Sequence, residues 1–127
     1  MRCIFASIIL NVSVGIMAHA EKVHAIRPIP GYVCMELALT SEQLTDNKTG
    51  VPIRQAPSRS SPVASYAATV VIVRAPQQPS AGFLEVLRLN GDPGWIEAKY
   101  LRPWSNPYVP TSHCTPSIMS DGKPGFG

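Results

Sequence analysis

The sequence predicts an all-β fold, a small barrel of about five short strands with irregular extensions at both ends. Three observations predict it. Five or six short extended segments separated by tight turns fall within about 70 residues, and the clearest of them, Thr69 to Arg74, is nearly all β-branched. Asn90-Gly91 lies between two such segments, the dipeptide most suited to a tight hairpin. All thirteen prolines lie beyond residue 20, which argues against long helices. A barrel also solves the edge problem for strands too short to build a wide sheet.

Ahead of the strands, Met1-Arg2 gives one positive charge. Cys3 to Met17 carries none and is rich in Ile, Val and Leu, and Ala18-His19-Ala20 follows. A basic start, an apolar run and a small-x-small site read as a cleavable secretory signal over residues 1–20. The apolar run is about 15 residues, short of the roughly 20 needed to span a bilayer. No Cys stands after a Leu-x-small pattern, so lipid anchoring is not expected. Removing the first 20 of 127 residues leaves 107, enough for one domain.

Of the eleven basic residues only Arg2 is lost, and all eight acidic ones remain, so the mature charge is +2. That balance gives no argument for nucleic acid, and no membrane span is expected after cleavage. The cysteine count falls from three to two when Cys3 leaves. Cys34 and Cys114 then form an even pair in an exported chain, which reads as a disulfide. Closing a loop of about 80 residues stabilises by at most about 4.5 kcal/mol in the chain-entropy model. The expected location is the periplasm or the medium of a bacterium.

Residues 21–31, with Pro28, Pro30 and Gly31, read as an irregular lead-in, and residues 32–104 as the barrel. Tyr32 to Leu39 is the first strand. Residues 40–50 are polar and turn-rich; Asn47-Lys48-Thr49 spells a glycosylation acceptor, a pattern too common to carry weight. Val51 to Arg54 is a short strand whose Pro52 suits an edge. Ala56 to Pro62 is a turn, and Val63 to Tyr66 resumes an extended path. Ala75 to Gly82 is a loop. Phe83 to Leu89 alternates like a half-buried strand, Gly94 to Glu97 returns from the hairpin, Ala98 to Tyr100 is about one turn, and Leu101 to Trp104 closes the pattern. Residues 105–127 form a Pro/Gly-rich tail that only Tyr108, Val109 and Cys114 look able to hold, with Ser117 to Gly127 expected to be mobile.

Several motifs, taken in order, carry a family resemblance. Val51-Pro52-Ile53-Arg54-Gln55-Ala56-Pro57-Ser58, with Ser61 and Val63, resembles the opening signature of bacterial SH3-like (SH3b) domains. Gly82-Phe83-Leu84-Glu85-Val86 is similar to that family's Gly-aromatic-x-x-Val strand, although Phe83 stands where Trp is more usual. Asn90-Gly91-Asp92-Pro93-Gly94-Trp95-Ile96 resembles its Gly-x-x-Gly-Trp-apolar hairpin, and Tyr100-Leu101 its closing aromatic-Leu pair. The match covers residues 51–104; the segment before Val51 departs from it. In physical terms Arg54 offers a rigid fork of donors to loop carbonyls, and Pro57 fixes the turn. Gly94 admits a close approach beneath an aromatic ring, and Trp95 is expected to supply the largest core area. These four residues maintain the fold.

A catalytic site is not expected. His24 and His113 lie in the Pro-rich flanks, and His113 is directly followed by Cys114 instead of facing it from another rigid element. Two His and two Cys without short-range spacing do not make a metal site. No phosphate-cradling glycine loop occurs, and no cofactor is expected. Glu85 and Glu97 could come near each other across the Phe83–Glu97 hairpin, but the preferred reading makes them solvated strand positions. Binding is better supported: Tyr66, Tyr100, Trp104 and Tyr108 are the candidate ligand contacts, because aromatic faces suit sugar rings and extended peptides. Tyr100 and Trp104 lead, since they follow the short turn near which SH3-like folds expose ligand contacts; alternatively they seal the barrel end against the Tyr108 segment. The resemblance implies a non-catalytic module binding peptidoglycan or other cell-wall polymer. The alternative is a protein-interaction or inhibitor module for an envelope or secreted protein.

Overall fold

A computed structural model describes residues 22–40, 42–43 and 50–127. The expected signal over residues 1–20, Cys3 and the acceptor Asn47-Lys48-Thr49 lie outside these residues. The fold is all-β. Its strands are β1 (Ala25–Pro28), β2 (Tyr32–Leu37), β3 (Pro52–Arg54), β4 (Val63–Tyr66), β5 (Val70–Arg74), β6 (Phe83–Leu87), β7 (Pro93–Glu97), β8 (Leu101–Pro103), β9 (Pro116–Met119) and β10 (Pro124–Phe126), with one 3-10 turn over Ala98–Tyr100. They form two antiparallel sheets, one of seven strands in the order β4-β3-β7-β6-β5-β2-β8 and one of three in the order β1-β9-β10.

Alternation along the strands decides what is inside. Met35 and Leu37 of β2, Val71 and Val73 of β5, Leu84 and Val86 of β6, and Ile96 of β7 point to one face and join Val51 and Ile53 in a single core. Ile96 and Val73 are fully buried. Contributions from the middle and from β3, far along the sheet, mean that the sheet wraps its own core. β5 is buried on both faces: Ile72 points away from this core, in register with Cys34 of β2 on one side and Leu87 of β6 on the other.

Trp95 is not the core residue that the sequence suggests. It is half-buried on the opposite face, in register with Glu85 and Arg54, and the inward positions of β7 belong to Gly94 and Ile96. The period of two leaves no alternative once Ile96 faces inward. Gly94 does permit a close approach, but to an aliphatic chain: a Cβ there would lie 2.4 Å from Ile53 Cγ2. The strand expected to reach Leu89 ends at Leu87, because the turn begins at Arg88. Arg88 N–H donates to the Asp92 carbonyl and Gly91 N–H to the Arg88 carbonyl, with Gly91 at φ 92°.

Both flanks depart from the sequence reading. The lead-in contains β1, and the tail contains β9 and β10, paired as Arg27↔Ile118 and Pro124↔Ile118. Asp121-Gly122 turns between them: Asp121 Oδ1 accepts from Lys123 N–H and Gly122 takes φ 81°. Order here rests on backbone pairing and not on an apolar face, which is why hydrophobicity alone does not reveal it. Cys34 and Cys114 are joined, with Cα atoms 6.0 Å apart, so β2 of the larger sheet is tied to the segment that enters β9.

Candidate ligand-binding site

Residues in register across β6, β7 and β3 share a face, so Phe83, Glu85, Trp95, Glu97, Pro52 and Arg54 all project away from the core. Glu85 and Glu97 are thus diagonal neighbours, as the hairpin suggests, and each has a cation. Arg74 Nη1 lies 3.0 Å from Glu85 Oε2, and Arg59 donates from Nε to Glu97. The turn from Gln55 to Pro62 brings Arg59 across. The Ser61 hydroxyl lies 2.9 Å from the Ala56 carbonyl and 2.8 Å from that of Ser58, and Arg54 Nη1 donates to the Ser61 carbonyl at 2.9 Å. Pro57, half-buried, sits in the same turn.

The result is a cleft of about 270 Å³ lined by Pro52, Arg54, Arg59, Phe83, Glu97, Lys99 and Tyr100. It adjoins a larger and more open depression of about 610 Å³, which Pro57, Ser58 and Ala98 also line. Phe83 is buried at the meeting of the two. Lys99 follows Glu97 by two, with Nζ 3.4 Å from Glu97 Oε2 and 4.9 Å from the centre of the Tyr100 ring. The hydrogen bond from Arg59 holds the Glu97 carboxyl below its ordinary value of 4.5; burial opposes this, and Lys99 adds to the lowering. The same bond holds Arg59 more firmly charged than usual. Two cations therefore pair with one ionised carboxylate beside an aromatic ring, and Arg54, bonded to the Ser61 carbonyl, lines the same cleft as a third. Such a cleft can take an anionic group and a flat apolar face together.

Among the four aromatic candidates, only Tyr100 is in this cleft, where it also packs on the core. Tyr66 lines a separate cavity between β4 and the β5–β6 pair. Trp104 lines a further hollow with Tyr32, Cys34 and Cys114. Tyr108 is 93% exposed on a turn in which Asn106 Oδ1 accepts from the N–H groups of Tyr108 and Val109. The four do not form one surface.

Arg59 and Lys99 escape the sequence reading, and Glu97 enters it only as a solvated strand position. Glu97-Ala98-Lys99-Tyr100 is a local signal for Lys99, but Arg59 reaches Glu97 from 38 residues away, and no local pattern marks it. No family model matches the chain, and neither a curated protein nor a solved structure does, so the likeness to SH3-like domains rests on the residues that carry it.

Proposed function

We propose that the chain is exported and acts outside the cytoplasm as a non-catalytic binding module of SH3-like barrel type, holding cell-wall polymer in the cleft between Arg59 and Tyr100. The observation that carries this reading is the excess of cations over carboxylate beside an aromatic face: Arg54, Arg59 and Lys99 against Glu97, next to Tyr100. A glycopeptide polymer offers matching groups, since peptide carboxylates suit guanidinium donors and sugar rings suit a Tyr face. The Cys34–Cys114 disulfide fits an oxidising compartment. Mature oxidised protein is expected to sediment with purified sacculi at low salt. It is expected to do so less well as Arg59→Gln or Tyr100→Ala. Protein that stays in the supernatant at low salt contradicts the reading.

A second reading, a module that binds an envelope or secreted protein, is favoured by Tyr108. An exposed aromatic side chain on a turn already closed by hydrogen bonds is an inexpensive anchor, because little conformational freedom is left to lose. A partner recovered by the oxidised protein and lost with Tyr108→Ala supports it. Equal recovery by both chains counts against it.

A further inference from the structure

The cavity that Tyr66 lines lies outside the cleft. Its volume is about 250 Å³. It exists because a ladder stops early. β5 and β6 pair at Val73↔Val86 and Ile72↔Leu87. The next two rungs would be Val71 with Arg88 and Val70 with Leu89, but the turn at Arg88 draws β6 away. All four of these residues line the cavity instead. The β4 edge closes the other side with Ser65 and Tyr66.

The floor is core: Ile53, Val71 and Val86 are buried and face inward. The rim is apolar and exposed, with Tyr66 and Leu89 at 66% and 48%. Against this lining one charged residue stands out. Arg88 follows Val86 by two and so lies on the core-facing side, with Cδ 3.6 Å from where a Cβ on Gly94 would be. Only about a fifth of its side chain is exposed. Its contacts are at the long limit, 3.4 Å from Nη2 to Asp92 Oδ2 and 3.4 Å from Nε to the Pro93 carbonyl. Asp92 is separately engaged by Asn90, through its own N–H and through Asn90 Nδ2. A guanidinium carries five donors, so Arg88 has donors to spare at the mouth of an apolar chamber.

The geometry points to a second site, which takes an acyl chain with an anionic head: the chain lies over Ile53, Val71 and Val86, and the head meets Arg88. The volume lies just below the usual range for ligand pockets, which suits one short chain and not a two-chain lipid. Charge complementarity selects an anion, and a half-buried guanidinium holds a carboxylate through two parallel hydrogen bonds.

Calorimetric titration of the mature oxidised protein tests this, with sodium decanoate as the probe and decyltrimethylammonium as its cationic counterpart. Saturable one-to-one binding of decanoate and none of the cation is expected. Arg88→Gln should weaken decanoate binding about tenfold or more. Ala68→Trp, a bulky change at an exposed lining position, should abolish it with the melting temperature unchanged. Phosphatidylglycerol vesicles distinguish a free chain from a membrane surface. Binding to vesicles but not to decanoate overturns the proposal, as does decanoate binding that neither variant changes.

Discussion

In the seven-stranded sheet, the central strands β5, β6 and β7 each place alternate residues in a common core, and Val73 and Ile96 are sealed from water. In the three-stranded sheet, all four residues of β1 are exposed, and the buried positions are Pro116, Ser117 and Pro124. The first is stabilised by removal of apolar surface, and its geometry follows from which side chains must leave water. The second removes little such surface. It persists through backbone hydrogen bonds between β1, β9 and β10 and through the Cys34–Cys114 bond to β2. Two sheets of similar appearance thus answer to different forces, and perturbations separate them.

The largest effect is expected in the core. Ile96→Ala removes a fully buried side chain and should cost about 2–5 kcal/mol. Chemical denaturation with two probes, tryptophan fluorescence and far-ultraviolet dichroism, should show one transition shifted as a whole. A loss below about 1 kcal/mol would mean that the core is less tightly packed than its burial indicates.

Cys34→Ser with Cys114→Ser should come next, at about 2–4 kcal/mol, from a denatured chain no longer closed on itself. Thermal melting measures it, and an unchanged melting temperature defeats the assignment of a stabilising disulfide.

A matched pair of glycines sharpens the comparison further. A Cβ at Gly94 would meet Ile53 Cγ2 at 2.4 Å, in the core, and Gly94→Ala should cost about 1–3 kcal/mol. A Cβ at Gly125 would meet Met119 Cγ at 2.5 Å, but Met119 is half-buried and unbranched and can swing aside. Gly125→Ala should therefore cost less than Gly94→Ala in the same denaturant titration; the reverse order would mean that the small sheet is the more rigid.

The smallest effect belongs to the surface pair. Glu97 has a lowered value in the folded chain, so its contribution is complete above its ordinary value of 4.5 and is lost as pH falls through the lowered one. Arg59 is largely exposed, so water screens the pair and its effect is the smallest of these. Glu97→Gln should flatten the acid limb of stability against pH and leave neutral stability nearly unchanged. An equally steep acid limb in the variant would assign that dependence to another carboxylate.

These contrasts explain what the sequence shows of the molecule. The core of Thr69–Arg74 is legible because a β-branched run leaves little choice of structure, and Val63–Tyr66 because it lies between the Pro62 turn and that run. The end of β6 is not, because Arg88 and Leu89 continue the alternation while their backbone turns toward Asp92. Trp95 misleads for a related reason: a large aromatic residue suggests a core, but the parity set by Ile96 places it outside. β9 and β10 lack an apolar face to announce them, although Asp121-Gly122 is a hairpin signal of the same kind as Asn90-Gly91. In the cleft, Tyr100 is the residue that the sequence singles out as a ligand contact and Arg54 is singled out only for holding the fold, whereas Arg59 is brought there by the fold of the Gln55–Pro62 turn.

Different forces hold the two sheets, and one covalent bond joins them. Residue-by-residue amide hydrogen exchange, on the oxidised protein and on the same protein reduced, tests this most directly. Reduction should sharply lower protection at the amides of Ile118 and Met119 while Val73, Val86 and Ile96 keep most of theirs. Equal loss of protection in both sheets, or no loss in either, would contradict it.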